Sequence, residues 1–304
     1  MLPSEIQNKR VLISPLNWGM GYVSRCIGLV NQLISQENSI YIACDEEQQQ
    51  IFECYFYNLT FIRHTGYPFR FSGKGNFTWD LFVRYFALTT RMKKERDEVS
   101  SYVLEHSIDI VLSDHRNGFR CKLIPSVFIT HQFNLPTRWY EFMALRWHRR
   151  LIQSFRTIWV MDTDRFQFAG DLSRGKSSDN VKYIGPYSRF MLYDVPKEKI
   201  GGTVLIVSGP SIYAQQLLDS FLNKNEQEDV IIVADKRLNI PKELLLEDRD
   251  WRIQDQAILR AQKVISRSGY STIMDLHFLK CDAELYATKG QREQEYLLLL
   301  HALR

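Results

Sequence analysis

Apolar positions along the chain fall into short unbroken runs separated by stretches of helical periodicity. Val11 to Pro15 (VLISP) shows no polar alternation, the pattern of a strand buried on both faces of a parallel sheet. After Leu16-Asn17-Trp18-Gly19-Met20-Gly21-Tyr22, the residues Val23, Ile27, Val30, Leu33 and Ile34 recur on one helical face, and that helix is predicted to end near Gln36 to Asn38. Ser39 to Cys44 is the next strand, and Ile108 to Leu112, Ser126 to Thr130, Thr157 to Met161 and Val181 to Ile184 repeat the pattern. Pro186 to Gly202 has neither period and holds two prolines and two glycines, so it reads as a linker. Beyond it the opening arrangement returns: a strand at Val204 to Val207, a loop at Ser208-Gly209-Pro210-Ser211, a helix at Ala214 to Leu222 and a strand at Asp229 to Ala234. Further apolar runs lie at Val264–Ile265 and Ala283 to Ala287. The class predicted is α/β, with two Rossmann-like domains (1–185 and 203–304, joined by 186–202) and a cleft between them.

Three stretches stand apart from this alternation. Ile51 to Phe86 is dense in aromatics, and its middle, Thr65 to Asn76, reads as a long loop before a helix over Trp79 to Ser100. Trp139 to Phe155 is an amphipathic helix rich in tryptophan and arginine, suited either to packing on the sheet or to lying on an anionic bilayer. Polar clusters follow two of the strands directly, Ser113-Asp114-His115-Arg116 and His131-Gln132-Phe133-Asn134, at the strand ends where open α/β sheets bind ligands.

The 304 residues carry a net charge of +4 with 45% hydrophobic and 24% charged residues, which fits a folded chain and gives no concentrated basic tract for nucleic acid. Five scattered cysteines without CxxC spacing fit reduced thiols rather than a disulfide framework or a zinc site. The N-terminus has no signal-like apolar region, and no run of about 18 apolar residues occurs. A cytoplasmic protein is therefore expected, with any contact at the inner face of the membrane peripheral and through 139–155.

Candidate chemistry concentrates in Val264 to Tyr296. A strand runs into Ser266, Ser268 and Gly269, a helix starts at Ser271 and Thr272 with Asp275 close behind, and a second strand leads to Gly290-Gln291-Arg292-Glu293-Gln294-Glu295. A helix N-terminus suits a phosphate, an acid a few residues on can take ribose hydroxyls, and the Gln/Glu cluster can hydrogen-bond a sugar. A capped helix and a solvated helix start would look the same taken singly. The Gly19-Met20-Gly21 loop is not a dinucleotide fingerprint, because the third glycine position is Ser24 and only Asp45 is placed as an acidic ribose partner. Asp162-Thr163-Asp164 spells a metal-binding triplet but follows a strand of the first domain, away from Val264 to Tyr296, so no divalent metal is expected.

The segments PLNWGMGYVSR (15–25), ITHQFN (129–134), SGP (208–210), SRSGYSTIMD (266–275) and GQREQEY (290–296) together resemble the GT-B glycosyltransferases, close to the MurG-type family 28 N-acetylglucosaminyltransferases. That resemblance implies transfer of a hexose such as N-acetylglucosamine from a UDP-sugar to an acceptor hydroxyl, inverting and metal-independent, with no cofactor beyond the donor. The acceptor would be a glycan, a lipid-linked sugar or a small molecule. By the same resemblance Ser208, Gly209, Ser268, Gly269, Ser271 and Thr272 would hold the diphosphate, Asp275 the ribose, and Gln291, Glu293 and Gln294 the sugar. Gly19, Gly21, Tyr22 and Gln132 would face the acceptor, and His131, Asp114 and His115 are the candidate catalytic groups. Tyr22 stands where the family often has His, and Asp275 where it usually has Glu. GT-B enzymes often continue into a helix that crosses back to the first domain; here either that element is expected to be absent or the sequence to be incomplete. A nucleotide-sugar epimerase of the same fold and a non-catalytic nucleotide-sugar-binding protein are the alternatives.

Overall fold

The computed structural model describes residues 1–68, 85–136, 142–175, 180–223, 229–234, 238–246 and 250–302. The apolar runs form β1 (Arg10–Pro15), β2 (Ser39–Cys44), β3 (Thr60–Arg63), β4 (Ile110–Asp114), β5 (Ser126–Thr130), β6 (Thr157–Val160) and β7 (Val181–Tyr183). They make one all-parallel sheet in the order β3-β2-β1-β4-β5-β6-β7. Val11 stands opposite Ile40 on one side and Ile110 on the other. Every residue of β4 and β5 is buried, which is why these strands read as continuous apolar runs. The order reverses at β1, so the loops after β1 and β4 part there and open a crevice at the carboxyl ends of the strands.

A second parallel sheet follows: β8 (Gly201–Val207), β9 (Val230–Ala234), β10 (Ala261–Arg267) and β11 (Asp282–Tyr286), ordered β11-β10-β8-β9. Its crevice lies between the loops after β8 and β10. The helices are α1 (Gly21–Ser35), α2 (Glu46–Tyr55), α3 (Tyr85–Glu105), α4 (Phe142–Ile152), α5 (Ser211–Leu222), α6 (Trp251–Arg260), α7 (Tyr270–Leu279) and α8 (Arg292–Ala302).

Three of these elements are additional to those read from the sequence. α2 starts at Asp45, whose carboxylate accepts from the Gln48 amide at 3.0 Å, so the one acid placed to suggest a dinucleotide ribose is a helix cap. β3 is a half-buried edge strand, and α6 is capped in the same way by Asp250. The loop predicted over Thr65 to Asn76 lies outside the described residues from 69 on, as do Trp79 to 84 of the predicted helix and 139–141 of the amphipathic one. α4 packs inward: Ile152 is fully buried, Trp147 and Leu151 lie against the cluster of Leu16, Tyr67, Leu88 and Met92, and Arg149 donates to the Asn134 side chain at 2.6 Å. No helix among the described residues is long and apolar enough to cross a membrane.

The two sheets share a core. Val23, Ile27 and Val30 of α1 cluster with Tyr270, Ile273 and Met274 of α7 and Leu297 of α8, all buried. Each such side chain contributes roughly 1.5–3 kcal/mol. α8 reaches back onto the first unit: the Tyr296 hydroxyl accepts from the Asp171 amide at 2.8 Å, and His301 Nε2 lies 2.8 Å from the Phe168 carbonyl oxygen. The segment predicted as a linker carries a short 3-10 turn, Arg189–Leu192, docked on α1.

Candidate functional site

A cleft of about 1230 Å³ opens where the two crevices meet. Its first-unit wall is the loop Asn17 to Gly21 and the start of α2; its second-unit wall is Val207 to Pro210 together with Ser271 and Thr272. The N-termini of five helices (α1, α2, α5, α6 and α7) border it. They are not equivalent. α2 and α6 have aspartate caps, whereas α1, α5 and α7 begin at Met20, Pro210 and Gly269, which make no side-chain cap hydrogen bond. N–H groups without a side-chain cap and the positive ends of three helix dipoles therefore collect at one cavity, an arrangement that attracts a multiply charged anion. Gly209 adopts a positive φ of 95° and its α-carbon has open space beside it, so the β8 loop brings bare backbone to the cleft.

Of the residues expected to bind the donor, Ser208, Gly209, Ser271, Thr272 and Asp275 line this cleft, and so do Gly19 and Gly21 of the expected acceptor set. The two walls already touch: the Ser271 hydroxyl donates to the Gly21 carbonyl at 2.8 Å. Asp275 is not a free ribose acceptor. Its Oδ2 accepts from Arg189 Nη1 at 2.9 Å, and its Oδ1 accepts from the Ser188 hydroxyl at 2.5 Å and more distantly from Ser24. Burial pushes this carboxyl up, against the pull of Arg189 and Ser188. Arg189, also bound through Nε to Asp255 at 2.6 Å, ties α1, α6 and α7 together at the cleft floor. Sequence reading passed over it because it lies in the unpatterned segment between the sheets. Trp251 was passed over as well; it lines the cleft at the start of α6, with the Arg189 guanidinium 5.4 Å from its ring.

The remaining expected residues lie elsewhere. The Ser268 hydroxyl donates to the Gln294 carbonyl at 2.8 Å, and the Gln294 side chain accepts from the Thr288 amide at 2.8 Å. Both hold the loop after β11 against the start of α7. Neither they nor Gly269 and Gln291 border the cleft. His131, Asp114, His115, Tyr22, Gln132 and Glu293 gather in a separate network, with His131 and Asp114 buried and the other four half-buried. Arg25 donates to both oxygens of Asp114, through Nε at 2.9 Å and through Nη2, and its Nη1 lies 3.0 Å from His131 Nδ1. His131 Nε2 is 2.9 Å from Glu293 Oε1, and the Gln132 amide donates to Glu293 Oε2. Burial pulls the His131 imidazole down from its usual range, Arg25 adding to the effect and Glu293 opposing it. Burial does the same to His115, with Arg25 adding to it. Burial pushes the Tyr22 phenol up, so at neutral pH it is no proton acceptor. Asp162 serves its own loop: its two oxygens accept from the amides of Thr163, Phe168 and Ala169 and from the Ser173 hydroxyl at 2.6–3.0 Å.

Two Rossmann-like α/β units facing each other across a cleft define the GT-B architecture. Solved structures bear this out: the glycosyltransferase of kitacinnamycin superposes with a TM-score of 0.60 at 14% identity, covering 96% of this chain and 84% of that one. SsfS6, a glycosyltransferase of Streptomyces sp. SF2575 complexed with thymidine diphosphate, gives 0.58 at 11% identity over 97% and 86%. S. aureus MnaA in a co-structure with UDP gives 0.51 at 11% over 96% and 88%. At these identities the likeness establishes the fold. No family model and no curated protein matches the sequence.

Proposed function

We propose that the chain is a glycosyltransferase that binds a nucleoside diphosphate sugar in the cleft and moves the sugar to an acceptor hydroxyl. The observation that carries this reading is the meeting of three uncapped helix N-termini, those of α1, α5 and α7, at one cavity. A leaving diphosphate gains negative charge as the glycosidic bond breaks, and preorganised N–H groups stabilise that charge. In this reading Ser208, Gly209, Ser271 and Thr272 hold the diphosphate, Gly19 and Gly21 shape the acceptor side, and Trp251 offers a ring face to the base. The finer terms are part of the proposal: UDP as the nucleotide, a hexose such as N-acetylglucosamine as the sugar, inversion, and no metal. They rest on the sequence resemblance. The solved neighbours carrying UDP and thymidine diphosphate support a nucleotide in this fold. A bilayer contact through 139–155 would need the apolar face that α4 buries, so the acceptor in this reading comes to the protein through the cleft.

A second reading, nucleotide-sugar binding without transfer, is favoured by one specific observation: His131, Asp114 and His115 do not border the cleft, and Asp114 and His131 are engaged by Arg25 and Glu293. One experiment separates the two. Thermal unfolding is followed with UDP, dTDP and their sugars, and nucleotide release is then measured with a panel of hydroxyl acceptors. A ligand at 100 times its Kd stabilises by about 2.7 kcal/mol, which is readily seen. A shift with acceptor-dependent release supports transfer, a shift without release supports binding alone, and no shift with any nucleotide overturns both.

A further inference from the structure

His131 is enclosed by groups from four elements: Arg25 and Tyr22 of α1, Asp114 and His115 at the end of β4, Tyr270 at the start of α7 and Glu293 in α8. Its ring lies flat on that of Tyr270, with centroids 4.0 Å apart and planes 3° from parallel. The proton on this ring follows from its neighbours. A guanidinium has donors only and no lone pair to offer, so the nitrogen 3.0 Å from Arg25 Nη1 must be the bare one. Nδ1 is therefore unprotonated, and the single proton of the neutral imidazole sits on Nε2, where it points at Glu293 Oε1. Gln132, the next residue, donates to the other oxygen of the same carboxylate. Two consecutive residues at the end of β5 thus grip both oxygens of one acid in α8 while the imidazole stacks on the first residue of α7.

We propose that Arg25 is a positioning residue that holds His131 in the Nε2–H form, making the imidazole the donating half of a clasp on Glu293 that fastens the first unit to α7 and α8. Asp114 orients Arg25 for this task by binding it through two nitrogens. His131 in this state is a hydrogen-bond donor and not a proton acceptor, since its one lone pair is taken by Arg25. The inference does not depend on the nucleotide-sugar reading: it concerns how the two units are held, whatever the cleft binds.

The test is nitrogen NMR on protein labelled in its histidine rings, with the His131 signals identified by their loss in His131→Gln. Unmodified protein should show a neutral ring with a bare Nδ1 and a protonated Nε2. A ring protonated on Nδ1, or on both nitrogens at neutral pH, would overturn the proposal. The double variant Arg25→Met with Asp114→Leu removes the ion pair without stranding either charge. In it the tautomer preference should be lost, and amide hydrogen exchange in the hydrogen-bonded turns that begin at Ile273 of α7 and Glu295 of α8 should speed by roughly tenfold or more, the size expected when a hydrogen bond to a charged group is lost. Unchanged tautomer and exchange would sink the idea. Should the double variant not fold, Glu293→Gln decides together with the unmodified spectrum. It should accelerate exchange in the first hydrogen-bonded turn of α7, from Ile273 on, while leaving Nδ1 bare, and exchange equal to that of the unmodified protein would count against the clasp.

Discussion

A β-carbon on Gly28 would stand 2.5 Å from the carbonyl oxygen of Ser188. The glycine is in the middle of α1, where it costs helix propensity, and the compensation is that the 3-10 turn carrying Arg189 lies directly against the helix backbone. Gly28→Ala should therefore destabilise by about 1–3 kcal/mol instead of giving the usual gain of a glycine-to-alanine change in a helix. Urea unfolding measures it, and a stabilised variant would show that the turn can retreat from α1.

Glu95 is fully buried and accepts from Arg116 Nε at 2.7 Å and from the Tyr67 hydroxyl at 2.6 Å, with His64 Nε2 at 3.1 Å. Burial opposes its ionisation, yet Arg116, His64 and Tyr67 together hold the carboxyl below its ordinary value. Glu95→Gln leaves Arg116 buried without a counter-charge and should cost about 3–5 kcal/mol. The same denaturation experiment reads it.

Asp162→Asn tests the role of the Asp-x-Asp triplet. The amide would turn a donor toward the Ala169 amide, which now donates to Asp162 Oδ2 at 2.8 Å. A loss of about 1–3 kcal/mol is expected, unchanged by added magnesium. Restoration by the metal would mean that the pair with Asp164 has a ligating role.

His64 and His131 are both buried, and burial lowers the affinity of each ring for a proton, Arg116 adding to this at His64 and Arg25 at His131. A folded-state value below the unfolded one means that the unfolded chain takes up the proton first. Stability is therefore fully present above about pH 6.5 and is lost as pH falls below it, at up to about 1.4 kcal/mol per pH unit for each ring. Urea midpoints at pH 7.5, 6.0 and 5.0 check the sign, and His131→Gln should show a shallower fall than the unmodified protein. A stability that rises on acidification through this range would contradict the burial argument.

The strands were legible because a parallel strand covered on both faces has no polar alternation to confuse it: β4 and β5 stand out as IVL and VFI before anything is known of their partners. α2, with the sequence EEQQQIFECY, offers little apolar periodicity, and β3 is half exposed at a sheet edge, so both were hidden in an aromatic-rich stretch. The cleft-lining loops could be found because glycine and serine after an apolar run mark a strand end. Partner choice could not be read in this way. Asp275 has the type and place of a ribose ligand, and what engages it instead is Arg189, 86 residues earlier in a segment with no pattern. Glu293 likewise reads as a sugar ligand until the fold brings His131 and Gln132 to it.

Leu297 lies in the same buried cluster as Val11, Ile13 and Ile27, and Tyr296 and Leu300 pack against that cluster. During synthesis the chain therefore cannot seal its N-terminal half and move on to the rest. The half made first waits, with apolar surface on α1 uncovered, until almost three hundred residues have been added. Chains halted between residues 203 and 290 should be the ones that recruit chaperones or aggregate, because what they expose is the seat of a helix not yet made.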